Sequence, residues 1–233
     1  MKMASLASSD IFSETFEMIR EDLSITFKDK KIFVTSSFQT QSIPLLHMIS
    51  QIDRNTPVYF LNTGFHFPET LTFKNEVSKL FQLKVIELNP ATSKSHQRDN
   101  NGNLFFASDP DYCCYLNKIQ PLESILIEND VWISGVRADQ TSHRKTLNTI
   151  EKGLFNTIRY HPLLRWTAKD VDDYIREHKL PSHPLDNFGY VSIGCMPCTR
   201  KIISNGLGAR DGRWAGLTKT ECGLHTQLIK DRQ

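Results

Sequence analysis

Glycine is scarce in this chain, 11 residues in 233, and none of them builds the glycine-rich run of a Walker-type phosphate loop. No stretch is apolar for long enough to cross a bilayer. The first thirty residues interleave Asp10, Glu14, Glu17, Arg20, Glu21 and Asp22 with apolar positions, so no secretory core segment is expected. Internal repeats and low-complexity tracts are missing, which excludes solenoids and disordered linkers. A dense basic stripe with interleaved aromatics is also missing, which argues against nucleic acid as a partner. Cysteine is sparse at five residues, too few for the disulfide framework of a small secreted scaffold.

What remains is ordinary for a soluble globular protein: 39% hydrophobic and 23% charged residues, in a length that fits one large domain with an appendage. Such a chain buries a real core without staples. A reducing cytoplasmic setting is expected, where paired cysteines mean metal binding or catalysis more often than disulfides. The net charge of +2 is unevenly spread: from residue 199 onward there are seven basic residues against three acids, net +4, on a body of net −2. A basic arm on a slightly acidic body suits a small polyanionic ligand.

Apolar positions at 12, 16, 19 and 23 predict a helix over residues 9–23. Short β-rich runs at 31–36, 58–61, 83–88 and 131–134 read as buried strands, and 154–160 is a further candidate. Helices are predicted over 43–52, from Pro68 to about residue 81, over 121–128, and after Thr167, where Asp170 completes a capping box. The alternation of strand and helix predicts an α/β fold with a doubly wound, mainly parallel sheet. Residues 89–109 are polar and read as a loop that specifies no chemistry. Strand 31–36 runs through the hydroxyl-rich turn SSFQTQS into a helix, the context in which backbone N–H groups hold phosphate. Plain helix capping by Ser and Thr accounts for that turn equally well.

The cysteines are few but not scattered. Cys113 and Cys114 are adjacent, Cys195 and Cys198 stand two residues apart in GYVSIGCMPCTR, and Cys222 is alone in TECGLH. Four thiolates suit an iron–sulfur cubane or a structural zinc, and buried or redox-active thiols are a third reading. Adjacent cysteines suit the separate corners of a cubane better than one small ion. Cys222 has Lys219 and His225 nearby, and cations lower a thiol's pKa toward thiolate at neutral pH. An incidental cysteine in a terminal segment is the alternative.

Together SSFQTQS, NTGFHFPET, CCYLNK, GVRADQTSHR, PLLRWTAKDVDDYI, GYVSIGCMPCTR, ARDGRW and TECGLH resemble, in order, the assimilatory sulfonucleotide reductases, in particular the iron–sulfur adenylyl-sulfate (APS) reductases. The resemblance runs from about residue 31 to 225. It implies an adenine nucleotide α-hydrolase-like fold, with a reductase domain over 1–203 and a mobile tail over 204–233 that carries the nucleophile. It implies a [4Fe–4S] cluster on Cys113, Cys114, Cys195 and Cys198. It further implies Cys222 as nucleophile with His225 and Lys118 as its catalytic companions. Ser36, Ser37, Thr63 and Gly64 fall at its nucleotide-contact positions. Arg137 or Arg144, with Arg210 and Arg213, match its phosphosulfate-holding arginines. The implied reaction reduces APS to sulfite and AMP with thioredoxin, or a glutaredoxin-like reductant, as donor, within sulfate assimilation. One departure concerns SSFQTQS, closer to the loop of the 3′-phosphorylated (PAPS) reductases, which leaves PAPS or dual specificity as the alternative. Pyrophosphatase or sulfurylase relatives of the fold carry an SGG-type loop missing here, and a non-catalytic, metal-stabilised binding module is the rival from another class. The sequence leaves the oligomeric state, including a homo-oligomer, open.

Overall fold

A computed structural model describes residues 8–202, 210, 212–214, 219, 221 and 224. Its centre is a six-stranded sheet of β1 (Ile32–Thr35), β2 (Val58–Leu61), β3 (Val85–Leu88), β4 (Val131–Ser134), β5 (Ile150–Lys152) and β6 (Ile158–Tyr160), in the order β3-β2-β1-β4-β6-β5. The first four pairings of that order are parallel, and β5 joins β6 antiparallel at the edge. In register, Val34 sits beside Val58 and Ile133, three buried apolar side chains across the middle of the sheet. Central parallel strands are covered on both faces, which is why each reads as a continuous apolar run rather than an alternation.

The helices are α1 (Ser8–Glu21), α2 (Ile43–Ile52), α3 (Pro68–Leu80), α4 (Phe105–Ser108), α5 (Pro110–Cys114), α6 (Gln120–Glu128) and α7 (Ala168–Glu177). The bounds of α2 match the expectation, and α3 begins at Pro68 because a proline's missing N–H costs nothing in the first turn. The predicted first helix ends two residues early and widens into a π-type turn over Asp22–Thr26, where Asp22 Oδ2 accepts the Tyr160 hydroxyl at 2.6 Å. Thr167 caps α7 with its hydroxyl on the Asp170 N–H, and Asp170 reciprocates, as the spacing predicts. One face of the sheet is closed by α1, α2 and α7: Phe12 lies 5.0 Å from Trp166 and 5.1 Å from Tyr174, ring to ring. On the other face α6 packs Leu122 and Leu126 against Phe33 and Trp132.

Three expectations change. The strand over 154–160 is half a hairpin turn: Phe155 and Asn156 take positive φ (51° and 62°), and only Ile158–Tyr160 pairs, with β5 as its unforeseen partner. Asparagine tolerates that backbone region, a signal that the apolar pattern of the segment outweighed. The stretch 89–109 is not featureless; it contains α4, whose Phe105 and Phe106 pack with Phe65, Cys113, Cys195 and Cys198. Finally, the helix expected from 121 begins near 110, because α5 passes through a π-type turn, Tyr115–Ile119, into α6.

Two buried histidines tie the fold to pH. His161 shares a 2.9 Å hydrogen bond with Ser134 Oγ, and burial, reinforced by Arg159 and Arg144, lowers its pKa to about 3. At His183, Nδ1 accepts the Leu185 N–H at 3.2 Å and Nε2 meets Thr70 Oγ1 at 2.9 Å; burial lowers its pKa to about 4. Both stay neutral where an unfolded chain's histidines, near pKa 6.5, take up protons. Stability therefore falls as pH drops from about 6.5 toward 4, by roughly 1.4 kcal/mol per pH unit for each histidine. Urea denaturation across that range should show the slope, and His183→Asn should reduce it by roughly 1.4 kcal/mol per pH unit.

Candidate active site

A sheet wound in two directions opens a crevice where its strand order reverses, at the carboxyl ends of the strands. Here the reversal lies between β1 and β4. The cleft found there has about 1000 Å³ of open space and is walled by Thr35 at the end of β1 with Ser36 and Ser37 after it, Phe60 and Leu61 of β2, and Ser134 at the end of β4 with Gly135 and Val136 after it. Gln41 and Ser42, just before α2, complete the wall near that helix's N-terminus, whose dipole favours an anion.

Positive charge is gathered on this cleft. Lys118, Arg144, Arg210 and Arg213 all line it, together with His66, whose burial lowers its pKa to about 4 and keeps it neutral. Lys118 arrives on the π-type turn between α5 and α6. Arg144 comes from the loop after β4, buried, with its Nε and Nη2 both 3.0 Å from the Glu221 carboxylate. Arg213 is buried as well, donating from Nε to the Cys198 carbonyl (3.2 Å) and from Nη1 to the Ile193 carbonyl (3.4 Å). Gly194 makes room for it, because a Cβ at that position would overlap the guanidinium.

Next to the cleft lies a second, smaller pocket lined by Cys113, Cys114, Cys195 and Cys198, with Thr63, Phe65, Phe106, Asn117 and Trp214. None of these four thiols is in a disulfide. Polar groups already contact the sulfurs: Asn117 Nδ2 donates to Cys113 Sγ at 3.6 Å, and Thr63 Oγ1 and Cys195 Sγ share a hydrogen bond at 3.3 Å. The Trp214 indole N–H is buried there with no acceptor among the described residues. Burial pushes the Cys113 thiol up to about 11, with Cys195 and Cys198 adding to the rise and Lys118 and Asn117 opposing it. Burial raises Cys198 too, against the pull of Lys118, Arg213 and Lys219. Left bare, such thiols stay protonated at neutral pH; a bound metal is what holds buried sulfurs as thiolates. Among the described residues no three Cys, His, Asp or Glu side chains group tightly enough for one metal ion. Four thiols around one pocket, none of them in a disulfide, nevertheless form a donor set suited to a larger sulfur-bridged group.

Lys118, Cys195 and Arg213 line both the cleft and the cysteine pocket, so the two are one site with two compartments. Of the residues singled out in the sequence, Ser36 and Ser37 stand on the cleft wall. Thr63 faces the cysteine pocket instead, and Gly64, at φ +71°, lines neither compartment and offers its carbonyl to Lys94 Nζ at 3.4 Å. Arg137 is buried on Asp139 (3.0 Å), which also accepts the first N–H of α7, from Ala168; it braces that helix and does not line the cleft. Cys222 and His225 lie outside the described residues. Trp214 is enclosed by Arg210, Arg213 and Lys219 at 5.4, 4.6 and 5.8 Å from its ring.

Sequence reasoning missed three contributors. Gln39 accepts the Ile193 N–H at 2.7 Å, and Gln41 reaches both Gln140 (2.6 Å) and the Val191 carbonyl (3.2 Å), so the glutamines of SSFQTQS strap the CxxC loop to the cleft. Glu221 is the third, a buried carboxylate beside the lone cysteine; its place in TECGLH was visible, its partners were not. The described residues of the terminal arm lie against the body: the Arg200 N–H donates to the Gly212 carbonyl (2.8 Å), and the Trp214 N–H to Cys198 (3.1 Å).

Comparison with known proteins agrees with this geometry. The family model described as the phosphoadenosine phosphosulfate reductase domain matches residues 31–201. A Bacillus cereus (strain Q1) protein named adenosine 5′-phosphosulfate reductase is 41% identical over 209 residues, 88% of this chain and 89% of the relative. A Bacillus thuringiensis (subsp. konkukian, strain 97-27) protein of the same name is 41% identical over 201 residues, covering 85% and 86%. Among solved structures, a phosphoadenylyl-sulfate reductase from Candida auris superposes with TM-score 0.65 at 23% identity, covering 84% of this chain and 98% of that one. An NH3-dependent NAD synthetase from Campylobacter jejuni gives 0.55 at 10% identity, covering 80% of each. These superpositions establish the adenine nucleotide α-hydrolase-like fold.

A substitution at Gly194 tests the unity of the two compartments. Gly194→Ala drives the Arg213 guanidinium off its carbonyl acceptors, and the loss of a charged hydrogen-bonding group costs roughly tenfold in affinity for a phosphate-bearing probe. Titration calorimetry with AMP should read that loss, and the melting temperature should fall with it, because a buried guanidinium loses its acceptors.

Proposed function

The chain belongs to the phosphoadenosine phosphosulfate reductase domain family, and from that membership we propose that it reduces adenylyl sulfate to sulfite and AMP, with Cys222 as the nucleophile and a thioredoxin-class dithiol as reductant. The observation that carries the reading is the sharing of Lys118, Cys195 and Arg213 between an anion-suited cleft and a four-thiol pocket. The relatives at 41% identity, named for the substrate without a 3′-phosphate, favour adenylyl sulfate over its phosphorylated form. The PAPS-like look of SSFQTQS weighs less, since Gln39 and Gln41 are engaged as struts.

The nucleotide lies along the carboxyl ends of β1 and β4, its phosphate near Ser36, Ser37 and the start of α2. The phosphosulfate extends toward Lys118, Arg210 and Arg213. Cys222 thiolate attacks the sulfuryl sulfur; the S–O bond to the phosphate breaks and AMP departs with that electron pair. Two anions have to approach for this step, so fixed cations in a partly desolvated cleft lower its barrier. Arginine forks match the phosphate-like oxygens, while Lys118 acts as a point charge. His225 stands three residues beyond the nucleophile, within reach in sequence to serve as a further proton donor.

The enzyme then carries an S-sulfonate on Cys222. A thiolate of the reductant attacks the Cys222 sulfur, and sulfite leaves with the S–S electron pair. The reductant's second thiol resolves the mixed disulfide and returns Cys222 to its starting state, so two electrons pass from dithiol to sulfite. Cys113, Cys114, Cys195 and Cys198 would hold a [4Fe–4S] cluster, which when bound supplies a fixed charged floor beside Lys118 rather than the electrons of the reaction. Free thiols and reduced partners fit a cytoplasmic setting. No described helix is long and apolar enough to cross a membrane.

Two substitutions test this division of labour. Cys222→Ser keeps about four irons per chain but loses sulfite production by more than about a thousandfold. Cys195→Ser loses the iron itself. Assay of the iron-loaded protein on adenylyl sulfate and on its 3′-phosphorylated form should favour the former. Sulfite formation by Cys222→Ser at the wild-type rate would overturn the mechanism.

A further inference from the structure

A buried carboxylate paired to the cations of a cleft meant for anions needs a reason. Glu221 is only 5% exposed, yet it stands among the cations expected to receive substrate. Its Oε1 accepts from Thr141 Oγ1 at 2.7 Å and from Arg144 Nε at 3.0 Å, and its Oε2 accepts from Arg144 Nη2 at 3.0 Å. Arg210 Nη2 is 3.6 Å from the same Oε2. Arg144 gives its remaining nitrogen, Nη1, to Gln140, whose Nε2 in turn bonds Gln41. Burial alone would raise the Glu221 pKa; the Arg144 fork, Thr141 and Arg210 outweigh it and hold the group below the usual carboxylate range.

The pair has the geometry of a planar fork on a carboxylate, the arrangement that fixes orientation as well as distance. It joins residues 77 positions apart in sequence: one on the loop after β4, the other in the terminal arm. Cys222 is the next residue along. With Nε and Nη2 on Glu221 and Nη1 on Gln140, each nitrogen of the Arg144 guanidinium makes a bond within the protein, three of its five N–H donors in all.

We propose that Glu221 is a positioning residue: its carboxylate, gripped by Arg144 and Thr141, seats the segment that bears the nucleophile on the cleft wall, and Arg144 serves that seat rather than the phosphosulfate. The inference rests on the reading of Cys222 as nucleophile. A point charge at 144 does not substitute for the fork, and a neutral amide at 221 does not pair with a buried guanidinium.

The test is a single-turnover measurement without reductant. Iron-loaded full-length protein is mixed with adenylyl sulfate, and the S-sulfonate on Cys222 is followed by mass spectrometry. Glu221→Gln, nearly the same shape, and Arg144→Lys, of the same charge, should each slow adduct formation by about tenfold or more. Affinity for adenylyl sulfate, measured for each variant in a Cys222→Ser background, should change less than about threefold, because the seat is separate from the substrate grip. Limited trypsin digestion should cut after Lys219 faster in both variants. Adduct formation at the wild-type rate in either variant overturns the proposal, as does a fall in affinity as large as the fall in rate, which would make Arg144 a direct substrate ligand. If the wild-type protein forms no adduct on Cys222, the nucleophile reading and this inference fall together; if it does and Glu221→Gln matches it, only the inference falls.

Discussion

One buried guanidinium holds the site together. Arg213 lies between the anion cleft and the four-thiol pocket, fastened to the carbonyls of Ile193 and Cys198 and set against the face of Trp214. Burying an arginine is unfavourable unless its donors find acceptors, and here they are backbone carbonyls of the CxxC loop itself. The loop therefore cannot shift without moving the cation, and the cation cannot move without disturbing the thiols. Gly194 follows from the same constraint, since any side chain there would occupy the space of the guanidinium.

Around that fixed point, charge is arranged by burial and pairing. Four cationic side chains on the cleft would repel one another in a low dielectric, and Glu221 offsets part of that repulsion between Arg144 and Arg210. Lys219 is drawn the other way, to Asp111 at the start of α5, the helix that carries Cys113 and Cys114. The described residues of the terminal arm thus touch three separate parts of the site: the CxxC loop, the adjacent-cysteine helix and the loop after β4.

How much of this was legible in the chain differs by element. Buried parallel strands announce themselves as short apolar runs, and the bounds of α2 and the starts of α3 at Pro68 and of α7 after its capping box were readable to the residue. The edge hairpin of β5 and β6 was not, because its turn is made by Phe155 and Asn156 in an uncommon backbone region rather than by glycine. Arg137 and Arg144 sit in one motif and look alike in sequence; only the fold turns one toward Asp139 under α7 and the other into the cleft. Thr63 was readable as a strand-end residue, but its neighbour, Cys195, is 132 positions away.

By itself, then, the sequence determined the local chemistry: the alternation of strands and helices, the paired thiols, the basic terminal arm, and the order of motifs that marks the family. Those follow from short-range periodicity and residue type, which need no knowledge of distant partners. Tertiary structure alone decided which cations share a wall, that the thiol pocket and the cleft are one site, and that Glu221 occupies the fork of Arg144. Such contacts join residues 15 to 132 positions apart, and pairings over that distance are set by how the sheet is wound, not by any local pattern.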